Sequence, residues 1–366
     1  MRKVVLYSLI ILAFAACRNH DFDFEEKYVP PLNEVEQQLA DMFSAKYGTP
    51  SKSVTWMTAK EDTAYVDMSS LDRNVHYTVR FYTSNPVIDN RNCYLLAEYP
   101  AVRGGEAEAY VMPFDRPLGL KYIYVSAIEP NGTGYTYKMN AEDADQHDVY
   151  LAKILPNPIP SRQAMRYTIG FEGLTAEGID FDYNDVVLEV EYVRGHSDAR
   201  VILKAAGNSC NTKVIYRHIL SKKKHYDDVL FEETHAAIGY PAIYNFATKK
   251  NIYYILNTGI NDSKRTAETV LELNEDEGKS ICEIAPNFIS FFKIDDKEKG
   301  DGESYFLPDY KGCTHPEALL LAVPDWNWSP EGMAVHVQHM QFRNWVKEPE
   351  KYPLWYTDVW DEVNER

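Results

Sequence analysis

Residues 180–193 read Asp-Phe-Asp-Tyr-Asn-Asp-Val-Val-Leu-Glu-Val-Glu-Tyr-Val, an acidic bend that runs straight into an apolar segment. From Val186 to Val193 the pattern alternates as a strand does, with β-branched residues that suit a pleated surface. Further segments repeat the theme. Val75, Tyr77, Val79 and Phe81 alternate with polar residues, and so do Ile123, Val125 and Ala127. Residues 93–99, 134–139, 167–172, 199–206, 253–256, 289–294 and 318–323 read as more strands. Turns are marked at Asn85-Pro86, Gly104-Gly105 and Asn131-Gly132. The expected fold class is mainly β, two antiparallel β-sandwich-like domains with a short N-terminal helix and a C-terminal helix.

The N-terminal helix is expected over Asn33–Tyr47. Asn33 caps it, Glu36 follows three residues on, and Gly48 ends it, with Val35, Leu39, Met42, Phe43 and Tyr47 near one stripe. The C-terminal helix is expected over Gly332–Val346, with Phe342 and Trp345 turned inward. A Pro-rich stretch at Pro156, Pro158 and Pro160 places a boundary between a helix plus N-terminal β-sandwich at 33–150 and a β-rich domain at 160–366.

The start of the chain sets an expected location. Residues 1–16 carry Arg2 and Lys3 ahead of an apolar core from Val4 to Phe14, the pattern of a secretory leader. That core is too short for a bilayer, which takes about 20 apolar residues. Phe14-Ala15-Ala16-Cys17 resembles the bacterial lipobox, so Cys17 is the expected lipidation site. Each buried CH₂ is worth about 0.8 kcal/mol, and several acyl chains hold where one would not. Residues 17–32 form an acidic tether. We expect an outer-membrane lipoprotein facing either the cell surface or the periplasm.

Composition narrows the partners. The formal charge is −17, and removing Arg2 and Lys3 with the leader makes it −19. That excludes nucleic acid as a main partner, since its phosphates need a basic face. It suits cations. Cys93, Cys210, Cys282 and Cys313 allow three full pairings or buried free thiols. Asp62-Thr63-Ala64 fits a short bacterial O-glycosylation pattern.

The chemistry concentrates in 170–185. Asp180, Asp182, Asn184 and Asp185 offer four hard oxygen side chains within six residues, and Glu172 is the expected fifth donor. Calcium takes six to eight oxygens at about 2.3–2.6 Å. If the segment is extended, Asp180, Asp182 and Asn184 share one face, with Phe181 and Tyr183 opposite; a bend would let Asp185 join them. The other reading is that these groups only hydrogen-bond turn amides. An EF-hand is excluded although Glu191 falls at its twelfth position. Asp185 stands where that loop needs Gly, and a strand carries Glu191 roughly 23 Å from Asn184.

The run Gly170-Phe171-Glu172-Gly173-Leu174 followed by Asp180-Phe181-Asp182-Tyr183-Asn184-Asp185-Val186-Val187 resembles the signature of LruC-type domains in Bacteroidota lipoproteins. Ala205-Ala206-Gly207 agrees with it, as does Val323-Pro324-Asp325-Trp326-Asn327-Trp328 leading to Glu331, Phe342 and Trp345. The resemblance covers roughly 160–360. Gly173 stands where the family often has Asp, and Ser329 shifts the tryptophan motif by one. The resemblance implies a calcium-binding segment and no enzymatic activity.

Enzymatic signatures are missing. No GxSxG, P-loop or GxGxxG occurs. His336 and His339 lie three apart without the Glu of an HExxH motif. Abundant acids leave glycoside hydrolysis as a minor alternative. Trp326, Trp328, Trp355 and Trp360 are expected to pack against the sheet, with a sugar platform as the alternative. The expected function is therefore adhesion, assembly or ligand binding by a membrane-anchored protein with a structural calcium site and a protein or glycan partner. Glycan binding beside a polysaccharide-uptake system is the alternative.

Overall fold

A computed structural model describes residues 34–88, 91–142, 148–152, 155–173, 179–259, 264–293, 301–305 and 316–364. Cys17, the tether, Asn33, Leu174 and Cys313 lie outside the described residues. The chain is mainly β, 43% strand against 14% helix. No helix among the described residues is long and apolar enough to cross a membrane.

The strands in chain order are β1 (Ala59–Asp67), β2 (His76–Tyr82), β3 (Tyr94–Arg103), β4 (Tyr110–Pro117), β5 (Tyr122–Ile128), β6 (Thr133–Asn140), β7 (Asp148–Tyr150), β8 (Asn157–Pro158), β9 (Gln163–Phe171) and β10 (Val186–Tyr192). They continue with β11 (Asp198–Ala206), β12 (Asn211–Ser221), β13 (Lys224–Phe231), β14 (Ile243–Asn245), β15 (Lys250–Ile252), β16 (Ala267–Glu272), β17 (Phe288–Lys293), β18 (Asp301–Tyr305) and β19 (Ala318–Leu321).

A ten-stranded sheet runs β16-β11-β10-β9-β3-β2-β5-β6-β8, with β19 also on β9. Smaller sheets run β4-β1-β7 and β13-β12-β17-β18, and β14-β15 form a hairpin. Pairing is antiparallel except β1 with β7 and β3 with β9. One edge of β9 is shared end to end. Its first residues pair with Tyr94 and Leu95 of β3, and Thr168–Phe171 pair with β19. The division expected at 150–160 thus falls between strands of one sheet, and one apolar core runs from Phe43 to Val363.

β9 and β10 are apolar because both faces are covered. Glu189 in β10 is 1% exposed. Arg166, Lys204 and the Asp325 amide satisfy it, the last at 2.6 Å. A buried carboxylate persists only when paired and hydrogen-bonded in this way.

The N-terminal helix is Glu34–Tyr47. It ends at Gly48, whose φ of 87° suits glycine. Two expectations need correction. Residues 253–256 form no strand, and Leu256 makes a single bridge to Ala206. The C-terminal helix is split into Val335–Gln338 and Phe342–Lys347, with a further helix at Val359–Asn364. His339 leaves helical geometry because its ring stacks on Trp326 at 5.3 Å and its Nε2 lies 2.7 Å from the Asn327 carbonyl. Phe342 and Trp345 are buried as expected. The Asp62-Thr63-Ala64 pattern lies within β1, and Asp62 is ion-paired to Arg116.

Candidate metal centre

The bend at 180–185 is built by backbone and aromatic packing together. It is not extended. Phe181 and Tyr183 hold positive φ, 61° and 57°. Such values are strained for aromatic L-residues, at about 1–3 kcal/mol each, and persist only where surroundings enforce them. Here Phe181 packs edge-on against Phe43 at 5.4 Å and Tyr47 at 5.9 Å. Tyr183 is wholly buried and faces Phe342 at 6.4 Å. The two rings anchor the bend to the N-terminal and C-terminal helices. The polar residues between them are left to turn the other way.

The twisted backbone also aims two amides inward. Phe181 N donates to Glu172 Oε1 at 3.3 Å, and Tyr183 N donates to Glu172 Oε2 at 2.9 Å. Glu172 is 1% exposed at the end of β9. Asp182, equally buried, accepts from the Asn184 amide at 3.2 Å, from Asn184 Nδ2 at 2.9 Å and from Gly332 N at 3.0 Å. One carboxylate oxygen each from Glu172, Asp180 and Asp182 lies within 4.8 Å of the others.

The donor set fits a hard cation. Three oxygens no more than 4.8 Å apart lie within about 2.8 Å of a common point, so a small inward movement brings all three to about 2.3–2.6 Å from a calcium ion. All donors are oxygen, which suits calcium or magnesium over zinc.

Electrostatics point the same way. Burial, then the charges of Asp185 and Asp180, hold Glu172 well above the usual carboxylate range. Burial, then Glu172 and Asp180, push Asp182 up to about 11. Burial pushes Asp185 up to about 7, against the Gly173 amide, which lowers it. Burial, with Asp185 and Asp180, takes Glu331 to about 8. Lys46 reaches the site, donating to the Asp180 carbonyl at 2.6 Å. Burial lowers its pKa, against the charges of Asp180, Glu172 and Asp182, which raise it. A cation binds the charged forms that burial disfavours.

Of the five residues expected from sequence, three meet at one point. Asn184 stands one hydrogen bond away. Its Nδ2 serves two acceptors, Asp182 and the Ser329 carbonyl at 2.8 Å, while its Oδ1 is buried with no partner among the described residues. Asp185 turns aside to accept from Gly173 N, and its carbonyl accepts from Gly207 N at 3.0 Å. Gly170 and Gly207 are required by close approach. A Cβ on Gly170 would lie 2.5 Å from the Tyr183 carbonyl, and one on Gly207 would lie 2.4 Å from Asn184 Oδ1.

Sequence reasoning missed Glu331 as a member of the site. Its Oε2 is buried with no partner among the described residues, and its neighbour Gly332 donates to Asp182. The only available signal was its place in the tryptophan run. Lys46 gave none.

The two histidines face different partners. His336 contacts Tyr47 and Arg343, and His339 contacts Asn327. Cys93 and Cys282 are free thiols among the described residues. Trp326, Trp355 and Trp360 are buried, at 2%, 4% and 0% exposed, which removes them from any exposed platform. No family model, curated protein or solved structure matches this chain.

Proposed function

We propose that this chain is an exported lipoprotein of the LruC type, anchored to the outer membrane through Cys17, with one calcium ion held by Glu172, Asp180 and Asp182. The ion has a structural role. It neutralises carboxylates packed at the entry to β10 and holds that bend against the loop at Ser329–Gly332. The protein serves adhesion, assembly or ligand capture, with no chemistry of its own. The observation that carries the calcium reading is the triad itself, three carboxylates within 4.8 Å, two of them 1% exposed. Location and family rest on Cys17 and on the motifs at 170–187 and 323–345.

Titration calorimetry of calcium into the metal-stripped full chain, in mild detergent, tests the ion. We expect one site per chain, lost in Asp182→Ala and weakened in Glu172→Gln. Equal heats from wild type and Asp182→Ala would sink the assignment.

A further inference from the structure

The hairpin of β14 and β15 joins none of the larger sheets among the described residues. Its base is fixed. The Tyr253 ring lies 5.3 Å from that of His235, and buried Leu256 bridges to Ala206. Beyond the base, Ile243, Tyr244, Phe246, Ile252 and Tyr254 all stand exposed. We propose that this hairpin is an interfacial membrane element, which seats its apolar side chains in the headgroup layer of a bilayer and its lysines against anionic lipid.

The apolar groups lie on both faces of the ribbon. Ile243 pairs with Ile252, so these two share one face, while Tyr244, opposite Asn251, points to the other. Phe246 leads the turn at 246–249 and is 85% exposed. Asn245 Oδ1 accepts from Ala247 N at 2.9 Å and from Thr248 N at 3.2 Å, which fixes the turn and holds Phe246 at its tip. A lone two-stranded hairpin is marginally stable in water, and in this one neither face is buried. A protein partner docks on one face of a ribbon. A bilayer interface receives both at once.

Charge separates the two kinds of partner further. Residues 234–261 hold no Asp or Glu, in a chain where 55 of 366 residues are acidic. Lys249 and Lys250, both exposed, close the turn. Protein interfaces are depleted in lysine. At a bilayer, lysine lays its stem along apolar groups and keeps its ammonium among the phosphates. Tyrosine divides its ring and hydroxyl in the same way. The acids that make the chain −17 lie elsewhere, and at physiological salt their repulsion is screened beyond about 8 Å.

The setting rests on the membrane location proposed above, whereas the hairpin is tested without the anchor. The test is flotation of the full chain carrying Cys17→Ser, so that no acyl chain contributes, on phosphatidylcholine vesicles with and without phosphatidylglycerol. All variants share the same residues 1–33, so differences between them read the hairpin. We expect binding that phosphatidylglycerol strengthens and salt weakens. Phe246→Ala should weaken it about tenfold or more, the scale of one aromatic side chain returned to water. Lys249→Gln with Lys250→Gln should remove most of the gain from phosphatidylglycerol, about fivefold per lysine. Phe246→Trp should keep binding and add fluorescence that acyl-brominated lipid quenches. All three positions are exposed, so the fold should be unchanged. Equal flotation of wild type and Phe246→Ala, or a Phe246→Trp signal that brominated lipid leaves alone, would overturn the proposal. Equal flotation together with a dimer that Phe246→Ala breaks would give the hairpin to a second copy of the chain instead. Lipidation is read separately, by acyl incorporation into wild type and its loss in Cys17→Ser, so either reading can fail alone.

Discussion

Replacing Trp345 by alanine should cost about 3–5 kcal/mol of stability, the scale of a large aromatic deleted from a packed core. The residue is 1% exposed. Its ring lies 5.7 Å from Trp56, 5.7 Å from Phe342 and 5.0 Å from Trp355. Trp56 precedes β1, and Trp355 lies near the C-terminus. One side chain therefore joins the two ends of the chain through a core that does not divide at 150–160. Because of this the variant should still unfold in one transition, at a lower denaturant midpoint with an unchanged slope. Two transitions, or a loss below about 1 kcal/mol, would mean that residues 34–150 and 160–364 fold apart.

Stripping calcium should make the protein less stable as pH rises. Unfolded carboxylates titrate near 4. In the fold, burial holds Glu172 well above that, Asp182 near 11, Asp185 near 7 and Glu331 near 8. Between the two sets of values the folded state binds more protons than the unfolded one. Stability then falls with increasing pH, by the linkage relation. The window opens near pH 4 and extends through pH 7–8, where Asp185 and Glu331 ionise. Metal-stripped protein should thus melt lower at pH 8 than at pH 5. Calcium should shrink or invert that difference, because it binds the deprotonated carboxylates and its affinity rises with pH. Melting curves at the two pH values, with and without calcium, read this directly. A stripped protein more stable at pH 8 would show that the acids are not held as buried neighbours.

The elements that were legible in sequence are those whose burial is one-sided. Tyr77, Val79 and Phe81 are buried while His76 is exposed and Thr78 and Arg80 half-buried, so β2 showed its period of two. The first helix showed its stripe in the same way. β13 did not. Residues 224–227 are exposed on both faces, and the strand is held by Arg217 on Asp227 at 2.9 Å and His218 on Asp228 at 2.9 Å, pairings made across β12. β4 was hidden by Pro113 and Pro117. These are tolerated because β4 lies at the edge of its sheet.

At the candidate site the donor types were legible and the geometry was not. Residues 180–185 alone left an extended run and a bend equally open. Positive φ at Phe181 and Tyr183 is imposed by rings from residues 43, 47 and 342, which no local pattern contains. The twist brings Glu172 under the bend's own amides and turns Asp185 toward Gly173.

The most direct test of the central claim is the thermal melt of the full chain in mild detergent, with chelator and with calcium, for wild type and Asp182→Ala. At a calcium concentration 100 times its dissociation constant, binding adds about 2.7 kcal/mol. The account predicts a calcium-dependent rise in wild type that vanishes in Asp182→Ala. The same melting temperature in wild type with chelator and with calcium would contradict it, and would leave the carboxylates of Glu172, Asp180 and Asp182 as hydrogen-bonding groups of a turn.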